Sequence, residues 1–285
     1  MFEERTEQAG LSVTPLSQRL GAQIKGFDFS KPAHRPAIEL LRDLADAYLV
    51  LLFRGHDVDE EQHVRFSLEF GDLIPPVEPK FTSKTEPMIL HLGNVSQDRR
   101  KLPNDDPAVA FTYAPERWHS DGSYKLNTNY LTILHALEIP PEGGETWFGS
   151  MLAAWEDLPE GRKRLLEGRS MEHPYPYRDA KIKNWEGNAI EVVKHPMVRT
   201  SPLNEKFLFL SSFGGKVDGM SDDEGSALVA ELFDYGTREE FIYRHKYQVG
   251  DTLMWTNRGA IHCGQTWDRT RHRRLLQRTE VAGVG

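Results

Sequence analysis

Apolar residues recur at helical spacing from Ala37 to Ala47, where Ile38, Leu41, Leu44 and Ala45 share one face. The run from Tyr48 to Phe53 is continuously apolar and ends at Arg54-Gly55, which predicts a short buried strand. Asp59, with Gln62 three residues on and Val58 before it, has the form of a capping box with a hydrophobic staple. A helix is predicted from there to about Phe70, closed by Gly71-Asp72. Seven later segments are rich in β-branched, aromatic and aliphatic residues and predict strands: Tyr130–Ile139, Thr146–Phe148, Ala189–Val193, Phe207–Ser211, Phe241–Gln248, Thr252–Trp255 and Arg274–Val281. Two helices interrupt them. One spans about Leu152–Leu166 with a break at Pro159, and one starts at Ser221, where Glu224 completes a second capping box, and ends near Gly236.

Between Val77 and Trp118 the periodicity lapses, and Gln97–Asp106 is polar and charged throughout. A long irregular stretch inside a compact domain serves as a lid or lacks order. Here it runs straight into Trp118-His119-Ser120-Asp121, which favours a lid over about 77–117. No repeat and no Pro/Gly/Ser-rich linker divides the chain, so residues 1–285 read as one domain. Helices early and strands late predict an α+β chain, mainly β, with a double-stranded β-helix (jelly-roll) core and flanking helices.

Composition narrows the partners. The 285 residues carry 35 Lys/Arg against 43 Asp/Glu, a net charge of −8, which disfavours binding to nucleic acid. The longest apolar run is far too short to span a bilayer, and the charged N-terminus lacks an apolar signal core, so no membrane association is expected. The single cysteine, Cys263, rules out an intrachain disulfide framework and suits a reducing, cytoplasmic setting.

Among eleven histidines, only His119 has a carboxylate two residues later. In extended chain, residues i and i+2 point to the same side, so His119 and Asp121 can offer a nitrogen and an oxygen to one metal ion. A second histidine would complete a facial triad with open coordination positions, the arrangement of non-haem Fe(II) oxygenases. An H-x-D alone is a common pairing, and its surroundings decide its meaning.

Those surroundings resemble the taurine dioxygenase/TfdA family of Fe(II)- and 2-oxoglutarate-dependent dioxygenases over nearly the whole length. The motifs are Leu20-Gly21-Ala22-Gln23-Ile24-Lys25-Gly26-Phe27-Asp28, Leu51-Leu52-Phe53-Arg54-Gly55, Phe70-Gly71-Asp72-Leu73, Trp118-His119-Ser120-Asp121, Gly143-Gly144-Glu145-Thr146, His195-Pro196-Met197-Val198-Arg199-Thr200 and Trp255-Thr256-Asn257-Arg258. Their order and spacing together are specific. The resemblance implies that His262, following a strand after the last motif, is the third metal ligand beside His119 and Asp121. It implies Fe(II) as the metal, with 2-oxoglutarate and dioxygen as cosubstrates. Arg278, sixteen residues after His262, would take the far carboxylate of 2-oxoglutarate with its planar fork, Thr146 would add a hydroxyl, and Arg274 would be a second contact. The implied reaction releases succinate and CO2 and hydroxylates a C–H bond, with heteroatom–carbon cleavage, desaturation or ring closure as variations. Asp121 argues against halogenation, because related halogenases have a small residue there. Trp118 and Trp255 read as core aromatics beside the metal, and Cys263 as structural. Family members often form dimers or tetramers, so a homo-oligomer is expected.

The substrate signals depart from the taurine-specific pattern. Taurine enzymes carry a histidine and a tyrosine shortly after the F-G-D-L landmark, where this chain reads Ile74-Pro75-Pro76-Val77-Glu78-Pro79. They also carry a polar amide four residues before the first ligand, where this chain has Pro115. Taurine is therefore not the expected substrate; a small or medium organic acid or a natural-product intermediate is. Candidate substrate contacts are Asn94, Tyr124, Phe213 and Lys216, the last as an anion partner. Two other classes stay open at this level: a non-oxidative metal enzyme on the same core, such as a zinc hydrolase or isomerase, and a ligand-binding jelly-roll without catalysis.

Overall fold

The computed structural model describes residues 2–76, 81–96, 98–106, 117–175 and 192–283. The first long helix, α2 (Arg35–Tyr48), follows a short α1 (Glu3–Gln8) and begins with Pro36 in its first turn, where a missing N–H costs nothing. It buries Ile38, Leu40, Leu41, Leu44 and Ala45. The chain then turns directly into β3 (Val50–Phe53), every residue of which is buried. Helix α3 (Glu60–Leu68) has the predicted capping box in full: Gln62 N donates to Asp59 Oδ1 at 2.8 Å, and Asp59 N donates to Gln62 Oε1 at 3.2 Å. Such a cap stabilises a helix start by about 1 kcal/mol. The helix stops at Leu68, slightly short of Phe70.

Among the described residues, seven strands form one large sheet in the order β1 (Ser12–Pro15), β2 (Ala22–Lys25), β3, β12 (Thr252–Thr256), β5 (Leu131–Glu138), β14 (Leu275–Val281) and β4 (Leu90–Gly93). Every pairing in it is antiparallel except β2 with β3. A smaller sheet has the order β11 (Ile242–His245), β6 (Thr146–Ser150) and β13 (Ala260–Gly264). Phe148 of the small sheet packs edge-on against Trp255 of the large one, with ring centroids 5.3 Å apart, so the two sheets share a core. Two hairpin pairs, β7 (Ser170–His173) with β8 (Val193–Pro196) and β9 (Val198–Thr200) with β10 (Lys206–Leu208), lie outside both sheets.

The predicted helix over Leu152–Leu166 is two helices, α4 (Met151–Asp157) and α5 (Glu160–Leu166), because Pro159 cannot continue the first. Helix α6 (Asp222–Gly236) starts at the Ser221/Glu224 capping box as predicted. Met151, Trp155, Phe207, Phe209, Leu228 and Phe241 form a second core that includes Ile261 of β13.

Not every sequence expectation carries through. The stretch from 77 to 118 is not irregular throughout. It contains β4, a four-residue edge strand too short to leave a pattern, which pairs with β14. The rest of that stretch at 77–80, 97 and 107–116 lies outside the described residues, as do 189–191 of the strand expected at Ala189–Val193; Val193 itself opens β8. His262 follows strand β12, as expected, and itself lies within a further strand, β13. No helix among the described residues is long and apolar enough to cross a membrane.

Candidate metal centre

His119 and His262 are directly opposed in an isolated antiparallel bridge. His119 N donates to His262 O at 2.9 Å, and His262 N donates to His119 O at 2.8 Å. The pairing brings the rings to 4.2 Å between centroids. Asp121, two residues along from His119, completes the cluster: its Oδ1 is 3.7 Å from His119 Nε2 and its Oδ2 is 3.7 Å from His262 Nε2. Ligand atoms of the three residues all lie within 4.8 Å of one another.

The residues around this cluster fit a metal. His119 Nδ1 is 2.7 Å from Arg117 O, so its proton sits on Nδ1 and Nε2 presents a lone pair to the cluster. Burial, reinforced by nearby His119, pushes the His262 pKa down to about 3 against the pull of Asp121, so the ring is neutral at physiological pH, as a ligand must be. Burial on its own would raise Asp121. The neighbouring His262, Arg278 and His119 and the Thr132 hydroxyl outweigh it and hold the carboxylate ionised well below the usual range. Phe148 and Trp255 pack on His262 at ring distances of 6.2 and 4.9 Å, which bears out Trp255 as a core aromatic beside the site.

A second ring of contacts aims Asp121. Thr132 Oγ1 donates to its Oδ2 at 2.7 Å, Asn257 Oδ1 accepts from its backbone N at 3.0 Å, and Asn257 Nδ2 donates to Thr132 Oγ1 at 3.1 Å. Gly122 follows with φ +67, and a Cβ there would fall 2.2 Å from Asn129 Oδ1, so only glycine lets the chain turn after the ligand. Asn257 was visible as part of the W-T-N-R motif. Thr132 carried no signal beyond its place in a strand.

A cavity between the two sheets adjoins the cluster. His119, His262, Thr146, Arg274 and Arg278 all line it, along with Leu134, Leu276 and Trp255. Strand alternation explains the set. Arg274, Leu276 and Arg278 face the cavity, while Gln277 and Thr279 point to α3, where Gln277 Nε2 donates to Glu60 at 2.8 Å and Thr279 meets Ser67 at 2.7 Å. The two arginines occupy different places. Arg278 Nη1 lies 3.8 Å from Asp121 Oδ1, and its Nη2 lies 3.1 Å from Glu280. Arg274 donates through Nε and Nη2 to Gly144 O at 3.3 and 3.1 Å, with its guanidinium over the rings of Trp267 and Tyr247. Tyr247 in turn shares a 2.9 Å hydrogen bond with Thr146. Gly143 and Gly144 both have φ +74, and a Cβ on Gly143 would fall 2.3 Å from Thr266 O, so the turn that delivers Thr146 needs glycine.

Of the four substrate candidates, one packs against a residue of the centre. The Phe213 ring lies 6.1 Å from that of His119. Tyr124 packs edge-on at 4.8 Å against Tyr175, and its hydroxyl is raised by burial and by the charge of Glu280, with Arg278 opposing. Asn94 and Lys216 do not reach it. Asn94 is fully buried with its amide committed to main chain, donating to Arg269 O and His272 O and accepting from Arg274 N. Lys216 is a surface side chain 3.7 Å from Asp222. Trp267 and Arg269, which line the cavity, and Tyr247, which bonds Thr146, were not singled out from sequence. Each belongs to a segment with no motif of its own, and only the fold brings it there.

The family model described as taurine catabolism dioxygenase TauD, TfdA family matches residues 12–279. The alpha-ketoglutarate-dependent 2,4-dichlorophenoxyacetate dioxygenase of Burkholderia sp. (strain RASC) is 34% identical over 245 residues, covering 83% of this chain and 82% of that one. The protein of the same description from Cupriavidus pinatubonensis is 31% identical over 280 residues, covering 94% and 96%. Among solved structures, AAD-2 in complex with Mn(II) and N-oxalylglycine superposes with a TM-score of 0.85 at 29% identity, covering 96% of this chain and 98% of its own.

Proposed function

From the premise that the chain belongs to the TauD, TfdA family and is an Fe(II)- and 2-oxoglutarate-dependent dioxygenase, we propose that His119, Asp121 and His262 hold its iron and that the adjoining cavity holds 2-oxoglutarate. The carrying observation is that one cavity joins the His/Asp/His cluster to a buried arginine and a buried threonine hydroxyl. A hydrolase would have no use for that second end, and the relatives are oxygenases, so the zinc hydrolase or isomerase reading finds no support. We read the two facing sheets as the halves of a double-stranded β-helix, with the site between them.

When bound, iron and 2-oxoglutarate supply with dioxygen an oxidation that yields succinate and CO2 and puts one oxygen atom into a substrate C–H bond. The protein's part is positioning. Asp121 is held ionised and fixed in direction by Thr132 and Asn257. The far carboxylate of 2-oxoglutarate goes to Arg274 and Thr146, which reverses the order of the two arginines expected from sequence. Arg278 stands beside a metal ligand, too near the iron to meet the far end of a molecule that chelates through its near end. Four residues back, just before β14 begins, Arg274 is roughly 13 Å away along the chain. Arg278 instead supports the charge of Asp121 and faces the near carboxylate.

On the substrate side, Tyr124, Tyr175 and Phe213 offer an aromatic wall. Together with the relatives that act on 2,4-dichlorophenoxyacetate, this favours a small aromatic carboxylic acid, an aryloxyalkanoate or a close analogue. Hydroxylation of the carbon bonded to the ether oxygen gives a hemiacetal. Its collapse breaks the C–O bond to leave a phenol and an oxo acid.

The test is succinate release by the Fe(II) protein with 2-oxoglutarate and ascorbate across a panel of aryloxyacetates, aryloxypropionates, aliphatic acids and taurine. Substrate-dependent succinate with an aryloxy acid, and none with taurine, is the expected result. Turnover confined to the aliphatic acids would refute the substrate class. No affinity for 2-oxoglutarate in the anaerobic Fe(II) protein would refute the site.

A further inference from the structure

Arg274 is not alone in the cavity: a second arginine, Arg269, lines it as well. Arg269 and Arg274 are both buried, each 8% exposed, and both line the same cavity. They share one aromatic ring: the Arg269 guanidinium carbon lies 4.5 Å from the Trp267 centroid and that of Arg274 lies 5.1 Å from it. The indole face attracts a cation, which helps to offset the repulsion of two buried guanidiniums. The backbone is organised for the same pairing. One buried side chain, Asn94, donates to Arg269 O at 3.3 Å and accepts from Arg274 N at 2.9 Å, so a single amide ties the two arginine-bearing positions together. The indole N–H of Trp267 is buried and has no hydrogen-bond partner among the described residues.

We propose that Arg269, Trp267 and Arg274 form a two-cation clamp that selects a dianionic 2-oxo acid, Arg269 being a second binding residue for the far carboxylate. This rests on the reading that Arg274 receives that carboxylate. Arg274 is tethered to Gly144 O through Nε and Nη2, while the Arg269 guanidinium lies against the same Trp267 ring. Two buried guanidiniums lining one low-dielectric cavity favour a carboxylate there. A 2-oxo acid with a methyl group in place of that carboxylate gains nothing from them. Asn94 is then a positioning residue for the clamp and not a substrate contact.

The test is anaerobic binding to the Fe(II)-loaded protein, read by the visible absorption of the ternary complex and by tryptophan fluorescence. Two probes are used, 2-oxoglutarate and 2-oxovalerate, which lacks the far carboxylate. Arg269→Gln should weaken 2-oxoglutarate binding by roughly 10-fold or more, the loss of one charge-assisted hydrogen bond, and leave 2-oxovalerate unchanged. Arg269→Lys should restore part of the loss. Trp267→Leu should lower the preference for 2-oxoglutarate over 2-oxovalerate, and it serves as the second variant if Arg269→Gln does not fold. Equal weakening of both probes would mean a merely structural role for Arg269 and would overturn the clamp. If Arg274→Gln weakens 2-oxoglutarate while Arg269→Gln binds it as the parent does, the clamp fails and the cosubstrate reading stands. If Arg274→Gln has no effect, the cosubstrate reading itself fails.

Discussion

Asp121 illustrates how much a single side chain depends on its supports. It is buried, faces two imidazole rings, is held ionised by its cationic and hydrogen-bonding neighbours, and owes its direction to Thr132 and Asn257. Replacing Asp121 or His119 with alanine should abolish substrate-dependent succinate release and leave the purified protein with little iron by metal analysis. Thr132→Val keeps every ligand but removes the bond to Oδ2. It should weaken Fe(II) binding by roughly 10- to 100-fold, measured by competition with a chelator; undiminished affinity would show that the hydroxyl does not orient the carboxylate. At this scale the sequence was readable where chemistry is local. The H-x-D spacing and the G-G turn are written in adjacent residues. The order of Arg274 and Arg278 was not, because both line one cavity and only the neighbour, Asp121 for one and Gly144 for the other, distinguishes them. Asn94 and Lys216 looked like polar groups free for a ligand, but an isolated sequence does not say that one is spent on backbone and the other stands in solvent.

Strand β14 is the element on which the site turns. Its cavity face carries Leu276 and Arg278, and its other face is locked to α3. Thr279 sits at the middle of that lock, sharing hydrogen bonds with His63 Nε2 at 3.1 Å and with Ser67 Oγ at 2.7 Å. Thr279→Val preserves shape and leaves those buried partners unpaired, so it should destabilise the protein by about 1–3 kcal/mol in urea unfolding. A shift of the strand by one residue would turn Arg278 out of the cavity, so the same variant should raise the KM for 2-oxoglutarate more than it lowers kcat. Unchanged stability would remove α3 from this role. The two capping boxes and the Pro159 break made their helices legible to within a residue or two, because start and stop signals are local. Short edge strands such as β4 and β1 were missed for the opposite reason: four residues give a pattern no chance to repeat, and their pairing is decided by distant partners.

Over the whole molecule, the α+β class followed from the order of helices and strands, but the facing of two sheets across a cavity did not. Pairs such as Trp255 with Thr132 and His119 with His262 join positions far apart in sequence. Global stability should show the cost of one buried acid on α2. Burial lifts the Asp46 carboxyl from the usual 3.8 to about 6, with Arg258 pulling the other way. Between those values the folded state keeps a proton that the unfolded state has lost, so stability falls as pH rises from about 4 to 6 and is flat above. Asp46→Asn should flatten that slope and stabilise the protein at pH 8 by on the order of 2 kcal/mol, measured by denaturation at several pH values. A variant less stable than the parent at pH 8 would mean that the charge is compensated.

The bridge between His119 and His262 links the lifetime of the bound metal to the breathing of the backbone. Each ligand residue gives its own amide hydrogen to the other's carbonyl. Parting the two rings by more than a side-chain rotation therefore means unzipping the chain at that point. Loss of iron to an excess of chelator and deuterium uptake at amides 119 and 262 should then follow one common opening event, with the same temperature dependence. Chelator-driven release much faster than that uptake would show that the ion escapes by side-chain motion alone. If the two keep pace, the time for which the enzyme stays armed is set by a pair of peptide groups, and tightening that seam would prolong it without touching a ligand.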